Sequence, residues 1–239
     1  DKTKSRLILL GDSHAAHLRP LLEVYSSKVV QFSGRNKPNL WLGRNCREST
    51  YCFTKSELLE QLNKSLTHNS ITILGLSPLR LTGSQRSKAD SKRLARHLSS
   101  SLEEFIPILQ KKNSKLILIG GLPQVKCPKG QGFEGIFNRN GKHAIIENCS
   151  PSKSWAQERN KLQTMAYRNL SVRYPKVVHI LDIIPLICKN DSCLLGNEKG
   201  ELFMWDELGH LTPTGLKLIR EGLKAKLQEL GMKGDTDSP

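Results

Sequence analysis

RLILLGDSH, at residues 6–14, is a short aliphatic run that ends in a glycine, an acid, a serine and a histidine. An aliphatic run of this length, closed by Gly11, is typical of a buried strand followed by a sharp turn. Apolar residues at helical spacing follow over residues 14–25. The stretch therefore predicts a strand–turn–helix unit with Ser13 at the carboxyl end of the strand.

The same alternation of aliphatic runs and amphipathic segments continues to the end of the chain. Further strands are predicted at residues 28–32, 71–76, 115–120 and 177–181. Further helices are predicted at 54–65, 92–112, 155–174 and from Pro213 onward. The helix at 92–112 is expected to be broken or kinked near Pro107, and Thr212 is expected to cap the last helix. Alternating strands and helices imply a parallel sheet covered by helices on both faces. We therefore expect a three-layer α/β/α sandwich with a mainly parallel five-stranded sheet. It forms a single domain over residues 1–230, with a flexible tail at 231–239.

Two segments interrupt this pattern. Residues 121–151 contain several glycines and two cysteines, and they predict a long loop of the kind that often carries function. Residues 188–204 predict a small hairpin.

The charge and composition limit the possible partners. The 239 residues include 37 Lys and Arg against 22 Asp and Glu, a net charge of +15. No apolar run reaches the roughly 18–20 residues that span a bilayer, so the chain is expected to be soluble as it stands, and its abrupt charged start suggests an excised domain. The basic residues are scattered and aromatic residues make up only 5%, which argues against nucleic acid. An anionic surface is the expected partner, with a solvated basic surface as the alternative.

The six cysteines form three pairs that are adjacent in sequence. Six cysteines allow 15 pairings, and sequence alone does not prove one of them. Pairing of sequence neighbours is favoured, with the disulfides Cys46–Cys52, Cys127–Cys149 and Cys188–Cys193 and an oxidising compartment. Zinc ligation and free buried thiols are the alternatives. Zinc is disfavoured because no Cys-x-x-Cys pair or nearby histidine has ligand spacing.

Ser13 is the first candidate for chemistry. Its position places the hydroxyl near the free N–H groups at the start of a helix, which could stabilise an oxyanion. A serine there is also a common N-cap, so this motif alone leaves a purely structural role open.

A second motif lies near the other end of the chain. WDELGHLT, at residues 205–212, places Asp206 and His210 in a polar loop before the last helix. A carboxylate that holds one ring nitrogen of His210 would allow the other nitrogen to deprotonate a serine. The two motifs together therefore predict a Ser–His–acid site.

These blocks resemble those of the SGNH (GDSL-type) hydrolase family. The resemblance is strongest to the SGNH domains fused behind acyltransferase-family-3 membrane domains in bacterial carbohydrate O-acetyltransferases. GDSHA at 11–15 is similar to their first block, ILIGGLP at 117–123 to their fourth-strand block, and residues 183–212 to their closing segment. The resemblance implies an SGNH hydrolase-like, flavodoxin-like fold.

The family's functional residues transfer to specific positions of this chain. The resemblance implies that Ser13 is the nucleophile, His210 the general base and Asp206 the acid that orients it. In the family the acid more often lies three residues before the histidine, a position that Glu207 holds here. Glu207 therefore remains the alternative acid.

The oxyanion hole is only partly defined by the resemblance. The backbone N–H of Ser13 should contribute, and Gly34 matches the family's glycine block in position. The asparagine of the third block is missing, since LSPLR stands at residues 76–80. Ser77 and Arg80 are the candidates for its place.

The resemblance implies an O-acetyltransferase domain that moves an acetyl group through Ser13 to a hydroxyl of a cell-envelope polysaccharide, such as lipopolysaccharide O-antigen. An N-terminal transmembrane acyltransferase domain of the same protein would supply acetyl groups derived from acetyl-CoA. The present domain would then be the periplasmic domain of a bacterial inner-membrane protein. No bound cofactor or metal is expected, and His14 and His17 are expected to be packing or rim groups.

Two other functions are alternatives to the O-acetyltransferase. One is a secreted esterase that deacetylates glycans, and the other is a glycan-binding module whose triad has decayed.

Overall fold

The main sheet of the protein has five strands. They are β1 (Leu7–Gly11), β2 (Val29–Ser33), β3 (Ile71–Gly75), β4 (Lys115–Ile119) and β5 (Val178–Leu181). Their order across the sheet is β2-β1-β3-β4-β5, and every neighbouring pair is parallel. The structure is a computed structural model that describes residues 6–26, 28–33, 55–78 and 87–232.

Eight helices lie in the described part of the chain. They are α1 (Ser13–Glu23), α2 (Lys55–Ser65), α3 (Lys88–Glu103), α4 (Ile106–Lys111), α5 (Phe133–Cys149), α6 (Lys153–Arg173), α7 (Ile184–Ile187) and α8 (Pro213–Glu229). None of these helices is both long and apolar enough to cross a membrane.

Each face of the sheet carries its own hydrophobic cluster. On one face α1, α5 and α8 join a cluster with Leu7 and Leu9 of β1. On the other, α2, α3, α4 and α6 join a cluster with Ile8 and Leu10. These four side chains are at most 2% exposed, and each contributes roughly 1.5–3 kcal/mol by leaving water. The prediction of a three-layer α/β/α sandwich is therefore confirmed.

One predicted loop is wrong, because residues 133–149 form α5. The segment has a weak apolar stripe and two glycines, and Gly141 breaks the helix with a φ of 77°. The helix is held by its neighbours, since Phe133, Ile136 and Ile145 are buried in the core. Tertiary packing therefore overrides a sequence that reads as a loop.

The predicted helix at 92–112 is divided at the expected place. Ser87 caps α3 by accepting a hydrogen bond from the N–H of Asp90, so this helix begins earlier than its apolar residues suggested. Pro107 lies in the first turn of α4, where its missing N–H does no harm.

Two of the predicted disulfides are present in the structure. Cys127 is joined to Cys149 at the end of α5, and Cys188 to Cys193. The latter pair closes the predicted hairpin through the two-residue strands β6 (Cys188–Lys189) and β7 (Ser192–Cys193). The predicted Cys46–Cys52 bond lies outside the described residues. Of the predicted tail, Met232 is buried in the core, and residues 233–239 lie outside the described range.

The turn after β1 requires a glycine. Gly11 has a φ of +133°, and a Cβ there would lie 1.9 Å from the carbonyl oxygen of Gly75 in the neighbouring strand. The close approach sets the position from which Asp12 and Ser13 leave the sheet. The N–H of Asp12 donates to the same Gly75 oxygen at 3.3 Å.

We expect Gly11→Ala to destabilise the fold by roughly 3 kcal/mol or more, because the new methyl group meets backbone that cannot move away alone. The matched control is Gly130→Ala, at a φ of +81° with no atom within 4 Å of the added Cβ. That change should cost about 1 kcal/mol from backbone strain only. Urea unfolding of the two variants measures the difference, and equal losses would contradict the steric explanation.

Candidate active site

Ser13 lies at the carboxyl end of β1 as the first residue of α1. The helix is capped by Asp12, whose Oδ1 accepts a hydrogen bond from the N–H of His14 at 3.0 Å. Because Asp12 caps the helix, the Ser13 hydroxyl is not needed for that purpose. Ser13 Oγ instead lies 2.6 Å from Nε2 of His210.

The loop before α8 supplies the second half of the site. Nδ1 of His210 forms a short hydrogen bond with Oδ2 of Asp206. Oδ1 of Asp206 accepts from the backbone N–H groups of Leu208, at 3.0 Å, and His210, at 3.2 Å. One carboxylate thus orients the ring and closes the turn that carries it. Ser13, His210 and Asp206 form a continuous hydrogen-bonded line.

The charge of Asp206 is stabilised in this arrangement. Partial burial raises the pKa of the carboxyl group, but the hydrogen bonds from His210 and Leu208 and the charge of the ring outweigh it. The pKa of Asp206 is therefore lowered. The group that holds Nδ1 is an ionised carboxylate at neutral pH.

Glu207, the alternative acid, points elsewhere. Its Oε1 accepts a hydrogen bond from the N–H of Phe133 at 2.6 Å, in the first turn of α5. A carboxylate is favourable there because the first N–H groups of a helix lack partners within the helix. The structure therefore places Asp206 against His210, and Glu207 joins the loop at residues 205–212 to α5.

Asp12 ties two loops of the site together. It is 1% exposed, and its Oδ2 accepts from the backbone N–H of Ser77 at 3.0 Å. Burial raises the pKa of Asp12, but the hydrogen bond and charge of His14 and the N–H of Ser77 outweigh it and hold the pKa at about 2. An ionised Asp12 thus fixes the loop after β3 to the start of α1.

Two of the four predicted oxyanion donors, Ser13 and Ser77, lie in the described part of the chain. Ser13 is the first residue of α1, and the first N–H of a helix has no carbonyl partner within the helix. The backbone N–H of Ser77 is engaged by Asp12, so only its hydroxyl is a candidate donor. Gly34 and Arg80 lie outside the described residues.

Three aromatic side chains surround the His210 ring. His14 stacks on it with centroids 4.9 Å apart, His17 contacts it edge-on at 4.8 Å, and Trp205 lies 5.9 Å away. His14 Nε2 also donates to the carbonyl oxygen of Leu208 at 2.9 Å. Both helix histidines do pack, as expected, but they pack against His210. The signal in the sequence was their spacing of three residues on the helix that begins at Ser13.

His17 is held as a neutral ring. Burial lowers its pKa, the nearby His210 and His14 lower it further, and the result is a pKa of about 4. A neutral His17 adds no second positive charge beside His210 when that ring takes up a proton.

An open groove of about 1130 Å³ lies beside the loop at residues 205–212. One wall is the start of α5, with Phe133 and Phe137, and the other is the segment 201–214, with Trp205 and Asp206. The groove therefore reaches the acid of the Ser–His–Asp line. Among the described residues, no group of three or more His, Cys, Asp or Glu side chains is arranged to hold a metal ion.

Comparison with protein families identifies the kind of domain. The model described as "SGNH domain (fused to AT3 domains)" matches residues 1–225. The chain belongs to this family.

Solved structures show the same SGNH fold. The periplasmic domain of a lipopolysaccharide acetyltransferase from Salmonella ser. Paratyphi A superposes with a TM-score of 0.65 at 16% identity, covering 95% of this chain and 85% of that one. A carbohydrate acetylesterase from Sinorhizobium meliloti superposes with a TM-score of 0.54 at 13% identity, covering 95% of this chain and all of the other. A comparison with curated proteins found no significant match.

The arrangement in this SGNH domain suits nucleophilic chemistry. A serine needs an adjacent base, and the base needs a group that fixes its tautomer. His210 has a short contact to the hydroxyl on one ring nitrogen and a carboxylate on the other. The geometry is therefore that of a serine hydroxyl beside an oriented imidazole base.

Proposed function

We propose that the SGNH domain transfers an acetyl group, through an acetyl-serine at Ser13, to a hydroxyl of a cell-envelope polysaccharide. The observation that carries the proposal is the hydrogen-bonded line Ser13–His210–Asp206. This line favours an enzyme over a decayed binding module, since a module would not need to keep all three groups in register.

In the first half of the reaction, His210 Nε2 takes the proton of Ser13 as Oγ attacks the acetyl carbonyl. Asp206 stabilises the imidazolium that forms. The N–H of Ser13, at the positive end of α1, donates to the oxyanion of the tetrahedral intermediate, with Gly34, Ser77 or Arg80 as further candidate donors. The carbonyl re-forms as the bond to the donor breaks, and the leaving group receives the proton from His210.

In the second half, a sugar hydroxyl replaces the donor's leaving group. His210 takes the hydroxyl proton, the sugar oxygen attacks the acetyl carbonyl, and the bond to Ser13 Oγ breaks as the serine recovers its proton. The products are an acetylated sugar and free Ser13. Water in place of the sugar hydroxyl would give acetate, so transfer and hydrolysis share every protein group.

The family supports the wider context of the proposal. Fusion to AT3 domains is the arrangement that the family model describes, and a membrane domain of that kind would supply the acetyl group, derived from acetyl-CoA. The domain would then act in the periplasm as part of an inner-membrane protein, without a bound cofactor. Lipopolysaccharide O-antigen is the proposed acceptor, and the net charge of +15 would hold the domain near the anionic envelope surface.

The test is to trap the intermediate and follow its fate. The protein is mixed with p-nitrophenyl acetate, quenched in acid and digested, and mass spectrometry should find one acetyl group on the peptide that contains Ser13. Adding O-antigen polysaccharide should then divert acetyl groups from acetate to the glycan. Absence of acetyl-Ser13 would overturn the proposal, and acetate as the only product would favour the esterase.

A further inference from the structure

We infer that the groove between α5 and the loop at residues 205–212 is the acceptor site, and that it binds an uncharged saccharide on Trp205 and Phe137. This inference rests on the proposed function, because it assigns the acceptor of the same reaction.

Trp205 lines the groove and also contacts His210. Its side chain lines the groove, its ring lies 5.9 Å from that of His210, and its backbone N–H donates to the His210 carbonyl at 3.1 Å. Asp206, which holds the histidine, lines the same groove. Ser13 and His210 are not among the residues that line the groove, so Trp205 and Asp206 are the groups that link a sugar bound there to the base.

The groove concentrates exposed apolar surface. Of the six large hydrophobic side chains that are exposed in the described part of the chain, three line the groove: Trp205 at 57%, Leu208 at 46% and Phe137 at 37%. An exposed apolar cluster beside polar groups marks a binding site. The C–H faces of a pyranose ring are apolar, so exposed flat rings fit them, while hydroxyl groups at the ring edge require hydrogen-bonding partners.

The charge of the groove opposes that of the protein. Among the described residues that line the groove, four carry carboxylates and one carries an ammonium group: Glu134, Glu201, Asp206 and Glu207, and Lys142. The groove is thus acidic within a chain of net charge +15. A phosphorylated or uronic acid unit would meet like charge there, which disfavours binding. The hydroxyl groups of an uncharged sugar can donate to a carboxylate such as that of Glu134.

One hydrogen bond joins the two groove walls: Glu207, in the loop at residues 205–212, accepts from the N–H of Phe133 at 2.6 Å. A disulfide separately anchors Cys149, at the far end of α5, to Cys127. Phe137 stacks on Phe133 with centroids 6.2 Å apart. Rigid walls lower the entropy lost when a ligand binds.

The experiment measures binding without catalysis. Ser13→Ala protein is titrated with neutral hexose oligosaccharides and, in parallel, with an oligogalacturonate of equal length, and saturation-transfer NMR and calorimetry report binding. We expect the neutral probes to bind more tightly than the anionic one. Adding Trp205→Ala or Phe137→Ala should weaken binding about tenfold. The control is Trp155→Ala, a tryptophan outside the groove beside Lys126 and Arg159, which should leave binding unchanged.

Three results would overturn the inference: no binding of any neutral probe, tighter binding of oligogalacturonate, or binding that survives both groove substitutions. Its failure is distinguishable from failure of the proposed function. If acetyl-Ser13 forms but the groove binds no neutral glycan, only this inference fails. If the groove binds glycan but no acetyl-Ser13 forms, the proposed acetyl transfer fails and the domain is a glycan-binding module.

Discussion

Ser13→Ala is expected to lower kcat/KM for p-nitrophenyl acetate by roughly 10³-fold or more. The substitution removes the atom that is proposed to carry the acetyl group, whereas the oxyanion donors and the binding surface remain. His210→Ala should cause a loss of similar size, because the serine is a weak nucleophile without its base. The double variant should be no slower than the worse single variant, since the two groups act as a unit.

The control for this prediction is Ser100→Ala, on the exposed side of α3. It should leave turnover unchanged. Urea unfolding should show that Ser13→Ala keeps the stability of the parent to within about 0.5 kcal/mol, because a half-buried hydroxyl is lost and no cavity is formed in the core. Equal turnover in the parent, Ser13→Ala and His210→Ala would rule out the catalytic assignment.

The second large effect is expected from Asp206→Asn, with a loss of about 10³–10⁴-fold in kcat. The asparagine keeps the shape of the side chain, but it can present its amide N–H to Nδ1 of His210. That contact favours the tautomer whose proton is on Nε2, and this nitrogen can then no longer accept the proton of Ser13.

Glu207→Gln is the matched comparison. The amide oxygen of glutamine can still accept from the N–H of Phe133, so turnover should change by no more than a few-fold. Steady-state kinetics of the two variants, with unfolding curves as a check of folding, separates the acids. Loss of activity in Glu207→Gln alone would transfer the orienting role to Glu207.

The choice between these acids shows where sequence spacing reaches its limit. Spacing favoured Glu207 by comparison with the family, whereas the shorter side chain favoured Asp206. The loop decides, because Asp206 Oδ1 accepts from the N–H groups at 208 and 210 and so turns Oδ2 toward the ring. This hydrogen-bond pattern depends on the path of the backbone, which the spacing of residues in the sequence does not specify.

The helix α5 illustrates a second limit. Its two glycines and weak apolar stripe indicated a loop, and only burial of residues such as Phe133 and Ile145 makes the helix stable. The groove was missed for the same reason, because one of its walls is this helix.

The sequence by itself determined the parallel sheet, the serine after β1 and the histidine–acid pair before the last helix. Those features depend on local periodicity and on residue types within a few positions of each other. Only the tertiary structure decided that Asp206 holds His210, that His14 and His17 pack on it, and that an acidic groove with exposed aromatic rings adjoins the triad. Ser13 and His210 are 197 positions apart, and their contact exists because the packed core brings two distant loops to one edge of the sheet.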